Sequence, residues 1–454
     1  MPTIEQIAAA LQGYDPKALS ADRVNAFLTR LVEPVTATER VGVFDALGRV
    51  LAEDLVSPIS VPPHDNSAMD GFAFDGSALR AGAALTLRLA EGTAFAGTAW
   101  AGTARAGECV KIMTGAIMPA GLDTVVPVEF VQVDGQQVTI PPDVLRQGDN
   151  RRLLGEDLMA GQPALRRGQT LGPAALGLIA SLGVAQVNVF RRLKVAYFST
   201  GDEILSLGEA PREGAVYDSN RYTVFGLLTR LGVQVLDMGV VKDEPAALEA
   251  AFRQAAREAD AIITSGGVSM GEADHTKAMM KQLGDVAFWR IAMRPGRPMA
   301  VGRIVAPHTP PLRGAQPSEG AEPGAGQPGA ERTDPGQSSI LFGLPGNPVA
   351  VMVTFLAFVR PALLRMMGST ASEPVLLQAR SAEALRKKPG RTEYQRGIVT
   401  RAADGTLQAR TTGNQGSGVL RSMVEANGLI VLHHHQGDVA VGDTVDVMVF
   451  DGVI

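Results

Sequence analysis

The spacing of apolar positions changes period several times along the chain. In SADRVNAFLTRLVEP, residues Val24, Phe27, Leu28 and Leu31 share one helical face, with Ser20 as N-cap and Pro34 as a stop. A second helical spacing runs through DALGRVLAEDL, Asp45 to Leu55. A third lies in LGPAALGLIASLG, where Pro173 stands in the first turn and Gly183 past the end. From Pro62 to about residue 150, short runs such as LTLRLA, ECVKIM, TVVPVEFVQV and QQVTIP are cut by Gly, Pro and Asp, the pattern of a small β domain. From Leu193 strand and helix patterns alternate: KVAYFS, RYTVFGLLTRLG, VQVLDMG, EPAALEAAFRQAAREA, DAIITS, DHTKAMMKQLG, strands around VAFWRIAM, MAVGRI and SILFGL, and the helix NPVAVMVTFLAFVRPALLRMMG. That alternation implies a three-layer α/β domain with a largely parallel sheet. After Gly368 short strands return, from VLLQARS to TVDVMVF, and predict a small β-barrel or a sandwich, of which the barrel is preferred.

The expected whole is a multidomain α/β plus β protein. Residues 1–61 and 151–192 make an elongated N-terminal domain, 62–150 an inserted β domain, 193–368 the α/β domain and 369–454 the C-terminal β-barrel. One stretch breaks the α/β pattern. Val305 to Ser339 is rich in Pro, Gly, Ala and Glu and nearly free of large apolar side chains, which predicts a disordered surface loop between neighbouring strands. A partner-binding tether is the alternative.

Composition narrows the function more than the fold. Charged residues are 20% and apolar ones 45%, and the formal net charge of -5 argues against a nucleic-acid or membrane-surface binder. An anionic substrate would need its own focused cations. Cys109 is the only cysteine, which excludes an internal disulfide and a cysteine-cluster zinc site and fits a reducing compartment. The N-terminus lacks the basic-then-apolar pattern of a secretory signal, and no apolar run is read as reaching the ~20 residues of a membrane span, so a cytoplasmic location is expected.

In an open parallel sheet, ligands lie beyond the carboxyl ends of the strands. The polar loops fall at those ends: STGDE (199–203), KDEP (242–245), SGGVSMGEADHTK (265–277), MRPGRP (293–298) and GLPGNP (343–348). In the longest of these, Gly266, Gly267 and Gly271 allow close backbone approach, while Ser265, Ser269, Glu272 and Asp274 supply oxygens just before a helix. That mixture favours a phosphorylated ligand held with a hard cation such as Mg²⁺; the bland reading is a tight strand-to-helix connection. The expected crevice gathers Asp202, Glu203, Asp243, Glu272 and Asp274, with Arg294 and Arg297 opposite. Asp243, just before EPAALEA, is also placed to cap that helix. DNRRLLGED reads either as a surface salt-bridge cluster or as an anion and metal site. Neither Cys109 nor a histidine is placed to act as nucleophile or base, so the site is built for positioning and electrostatics. HHHQG at His433 suggests either a metal site or an exposed hairpin tip, and the tip is preferred because adjacent strand side chains alternate faces.

Together, DNSAMDGFA, IMTGA, NRRLLGED, FSTGDE, YDSNR, TSGGVSMGEAD, MRPGRP, GLPGNPV, GRTEYQRG and TTGNQGSG resemble one family closely, over nearly the whole chain. It is the molybdopterin molybdenumtransferase family, also called MoeA, related to the E domain of gephyrin. The resemblance implies insertion of molybdenum from molybdate into the dithiolene of adenylylated molybdopterin, with Mg²⁺ and release of AMP. It implies catalytic roles for Asp70, Thr114, Asp157, Glu203 and Asp274, and a metal set of Asp243, Asp274 and Glu203. Substrate contacts implied by motif are Ser199, Gly201, Asp202, Ser265, Gly266, Gly267, Ser269, Arg294, Pro345, Gly346 and Pro348, with Ser417 and either Arg396 or Arg391 toward molybdate. It further implies a homodimer whose cleft the partner subunit completes, Asp70 and Thr114 acting across the interface, and a transient contact with the upstream adenylyltransferase. Arg290, Arg294 and Arg297 stand where the family often has lysine, which keeps charge but alters donor geometry. An adenylyltransferase-like enzyme and a gephyrin-type scaffold are the competing readings.

Overall fold

In the computed structural model, residues 2–268, 275–305 and 338–450 are described. Its centre is a six-stranded sheet in the order Gln234–Val241, Lys194–Thr200, Ala261–Ser265, Ser338–Leu344, Pro298–Val305, Gly284–Arg290. Neighbours among the first four are parallel, and Pro298–Val305 runs against both of its neighbours. Strands such as Ala261–Ser265 are buried on both faces, which explains their unbroken apolar runs. One face is covered by Ser219–Leu231 and the helical stretch from Pro348, packed through Val224, Leu228, Val353 and Phe358. The other is covered by Pro245–Glu258 and His275–Leu283, through Leu248, Phe252 and Met280. The three-layer α/β expectation is met.

The stretch Pro348–Met366 corrects one expectation. Its 19 residues are long and apolar enough to cross a membrane, but 83% of its 18-residue apolar window is buried inside the protein, where it serves as a core helix. Midway it loosens into a π-helical turn, Phe355–Val359, just before Pro361, a position at which the ring removes one backbone donor.

The C-terminal strands Thr392–Arg401, Leu407–Thr411, Leu376–Ser381, Thr444–Val449 and Gly428–Leu432 close on themselves, because the first also pairs with the last. The barrel expectation therefore holds. Met293–Arg294 leaves the α/β layer and pairs in parallel with Thr392–Glu393 of the barrel.

A third six-stranded sheet lies between residues 71 and 140. The segments before and after it pair antiparallel: Thr38–Gly42 with Gln186–Phe190, Leu55–Val56 with Pro163–Leu165, and Asn66–Ser67 with Arg151–Arg152. The helix expected over Asp45 to Leu55 is absent. Only a 3₁₀ turn forms at Phe44–Ala46, Gly48 turns the chain at φ 71°, and Val50, Leu51 and Ala52 are buried in succession. Three consecutive buried residues suit an irregular segment wedged between elements, not a one-faced helix. The insert expected to be disordered lies, but for its ends, outside the described residues. Its flanks Val305 and Ser338 are paired partners in adjacent strands.

Candidate active site

The strand order reverses direction between Lys194–Thr200 and Ala261–Ser265, so the loops after these two strands diverge and open a crevice. Below it, Ser199 and Ser265 are directly paired and buried. Their hydroxyls and that of Tyr197 lie 2.7–3.1 Å from one another in a closed triangle. Burial, ahead of these contacts, drives the Tyr197 phenol well above its ordinary range, so it remains neutral. The two serines therefore brace the strand ends; what they leave for a ligand is the backbone beyond them.

That backbone can come close. Gly266 sits at φ 90°, and a Cβ there would fall 2.3 Å from the Thr200 carbonyl oxygen; its N–H donates to the Leu344 carbonyl at 3.2 Å. Three strand ends are thereby drawn together at one glycine. Asp202 and Glu203 are exposed on the STGDE turn. Asp243 does not cap the following helix, whose N-cap is Glu244. It accepts the Thr276 hydroxyl at 3.2 Å, which turns its carboxylate toward the end of the glycine loop. Ser269, Glu272 and Asp274 lie outside the described residues. Among the described residues no group of three or more His, Cys, Asp or Glu could hold a metal.

The opposite wall joins two domains. Pro348 opens the core helix, and Asn347, at its N-cap, spends its side chain elsewhere: Nδ2 donates to the Ser417 hydroxyl at 3.1 Å. The Val349 N–H donates to the Ser417 carbonyl at 3.1 Å, and Asn220 Nδ2 to the Gly346 carbonyl at 2.7 Å. The GLPGNP turn is thus pinned on both sides, with Pro345 buried and Gly346 exposed.

The arginines expected at molybdate have partners within the protein. Arg396 is 1% exposed; its Nε donates to Ser422 Oγ at 3.0 Å and one terminal nitrogen to the carbonyls of Asn414 and Gly416 at 3.2 and 2.9 Å. Burial, with Arg294 nearby, lowers its pKa to about 10. Its described contacts hold the loop that carries Ser417. Arg391 is paired at 2.6 Å with the buried carboxylate of Glu393, so its charge is largely neutralised. Arg294 remains exposed.

Asp70 and Thr114 are brought together in the inserted sheet, not among the strand ends of the α/β layer, with the Thr114 N–H and hydroxyl both donating to Asp70 Oδ1 at 2.7 Å. Beside them the DNSAMDG and NRRLLGED segments meet: Asp65 accepts the Leu154 N–H at 2.7 Å, and Arg151 stands 3.7 Å from Asp65. Asp157 is exposed there, its backbone N–H bound to the Val61 carbonyl. Sequence reasoning missed Asn347, Tyr197 and Asn220 as site-building residues, although GLPGNP and YDSNR carried two of them in plain view.

Comparison with known proteins fits this arrangement. Models of the MoeA N-terminal region (domain I and II), a probable molybdopterin binding domain and the MoeA C-terminal region (domain IV) match residues 19–183, 196–365 and 378–450. The molybdopterin molybdenumtransferase of Haemophilus influenzae is 36% identical over 437 residues, 96% of this chain and 100% of that protein. The chain belongs to the molybdopterin molybdenumtransferase family. A gephyrin of Dictyostelium discoideum is 27% identical, covering 90% of this chain and 58% of its own length. The molybdopterin biosynthesis MoeA protein of Pyrococcus horikoshii superposes with TM-score 0.67 at 26% identity, over 96% of this chain and 99% of that one. Both the α/β layer and the barrel of this molybdenumtransferase-family chain thus recur in a solved relative.

Proposed function

We propose that this chain transfers molybdenum from molybdate to the dithiolene of adenylylated molybdopterin, with release of AMP. The observation that carries the reading is the Asn347–Ser417 hydrogen bond, which joins the GLPGNP turn to the barrel loop, while Gly266 bonds Leu344 at the base of the same turn. A nucleotide phosphate on one side and a tetrahedral oxyanion on the other would then lie within one cleft. The close backbone approach that Gly266 allows and the amide of Gly267 suit the phosphates, and Ser417, with Arg294, suits molybdate. Arg396 acts by fixing the Ser417 loop, and Arg391 by holding Glu393.

Carboxylate oxygens are the donors a hard cation takes: Asp243 and Glu203 with Asp274 would hold Mg²⁺, which when bound supplies charge neutralisation at the phosphate linkage. Asp243 already faces the glycine loop through Thr276. The proposed assembly is a cytoplasmic homodimer in which Asp70, Thr114 and Asp157 of one subunit complete the cleft of the other, fed by a transient contact with an adenylyltransferase. The exposed, pre-organised Asp70–Thr114 pair supports this.

The test incubates purified protein with adenylylated molybdopterin, Mg²⁺ and molybdate. Molybdate-dependent AMP release together with active cofactor supports the reading. Synthesis of adenylylated molybdopterin from molybdopterin and ATP would mark an adenylyltransferase, and absence of any turnover a scaffold.

A further inference from the structure

Two side chains at the start of the helix Ser219–Leu231 have no task in the reaction as described. Asp218 is 3% exposed and Asn220 8%. Asp218 Oδ1 accepts the Arg221 N–H at 3.0 Å and caps the helix, while Asn220 gives its amide N–H to Gly346. The second oxygen of Asp218 and the amide oxygen of Asn220 find no partner among the described residues. Buried acceptors are normally paired, so two orphans within three residues mark a place where donors arrive from outside.

Local cations do not supply them. Arg221, on the same helix, is turned away and grips Asp237 with both Nε and a terminal nitrogen at 2.8 Å. The hydroxyls of Tyr197, Ser199 and Ser265 are occupied with one another. Position also matters. The Asp218 N–H donates to the Leu205 carbonyl at 3.0 Å, tying it to the strand after STGDE, and Asn220 is bound to the GLPGNP turn. The orphan acceptors therefore lie between two loops that edge the crevice.

We infer that Asp218 and Asn220 form an acceptor pair that reads the N–H edge of a 2-amino-4-oxopyrimidine ring, such as a pterin carries. That edge presents an exocyclic amino group and an adjacent ring N–H in one direction, two donors for two acceptors. A carboxylate is the stronger of these acceptors, which makes Asp218 a specificity-determining residue for the ring. The inference takes its ligand from the proposed reaction, but binding alone tests it.

The full-length protein is titrated by calorimetry with free pterin, with lumazine, which has oxygen in place of the 2-amino group, with AMP and with adenylylated molybdopterin. The wild type should bind pterin about tenfold or more tighter than lumazine. Asp218→Asn keeps an oxygen for the helix cap and sets an N–H where the ring donor would approach. It should weaken adenylylated molybdopterin by about tenfold to a hundredfold and leave AMP unchanged. Pterin and lumazine binding alike to wild type, or neither binding, overturns the inference even if the variant does not fold. So does a variant that loses AMP as much as the pterin ligand. Ring discrimination without molybdate-dependent AMP release would leave this subsite standing and sink the proposed reaction instead.

Discussion

Thr114 reaches Asp70 twice through one carboxylate oxygen, with its hydroxyl and its backbone N–H both at 2.7 Å. These bonds, the hydroxyl first, hold the exposed Asp70 carboxyl below its usual value of 3.8. The sign follows: the folded state favours the anion, so the contact stabilises the fold above the usual carboxylate pKa and is lost as pH falls through the lowered folded value. Thr114→Val deletes the hydroxyl and keeps the backbone donor. The Asp70 titration midpoint, read by carboxyl NMR, is expected to climb toward 3.8; a midpoint that stays put would assign the shift to the backbone alone.

Arg396→Ala should be a stability mutation before it is a binding mutation. It strips three hydrogen bonds from a buried guanidinium and leaves the Asn414 and Gly416 carbonyls short of a donor. The expected loss is about 2 to 4 kcal/mol in urea unfolding, and lysine should recover only part of it because it lacks the planar fork. An unchanged unfolding midpoint with a raised molybdate requirement would reassign Arg396 as a direct ligand.

Asn347→Ala should disturb both halves of the cleft, since its amide joins the GLPGNP turn to Ser417. Loss of one such bond is worth about 0.5 to 1.5 kcal/mol, so the molybdate concentration for half-maximal insertion should rise about two- to tenfold. Binding of adenylylated molybdopterin should weaken by a comparable factor. If only molybdate is affected, the two subsites are independent and the turn is merely adjacent.

Replacing residues 306–337 with a short Gly/Ser turn should leave the melting temperature unchanged. Val305 and Ser338 are already paired across adjacent antiparallel strands, so a tight connection closes the gap without strain. A drop of more than about 4 °C would mean that the insert contributes about 1 kcal/mol or more of packing.

Much of the fold was legible because burial pattern and period agree. Ala261–Ser265 reads as a strand because all five residues are buried, and Ala21–Leu31 as a helix because Val24, Phe27, Leu28 and Leu31 share its inner face. The Asp45–Leu55 segment misled because apolar spacing cannot distinguish one helical face from residues wedged between ladders. Gly48 at positive φ was the available warning. At the site, Asp243 could not be separated from a helix cap until Thr276 was seen to hold it. For Arg396 the sequence shows a charge but not that its guanidinium also holds main-chain carbonyls.

Met293–Arg294 pairs backbone to backbone with the barrel strand while remaining continuous with the α/β layer. Such a seam stitches the chain leaving the α/β layer to the barrel sheet, so separating the two at this point breaks main-chain hydrogen bonds. It also sets a boundary for dissection: cut away from its barrel, the α/β portion would expose a raw strand edge and recruit other copies of itself.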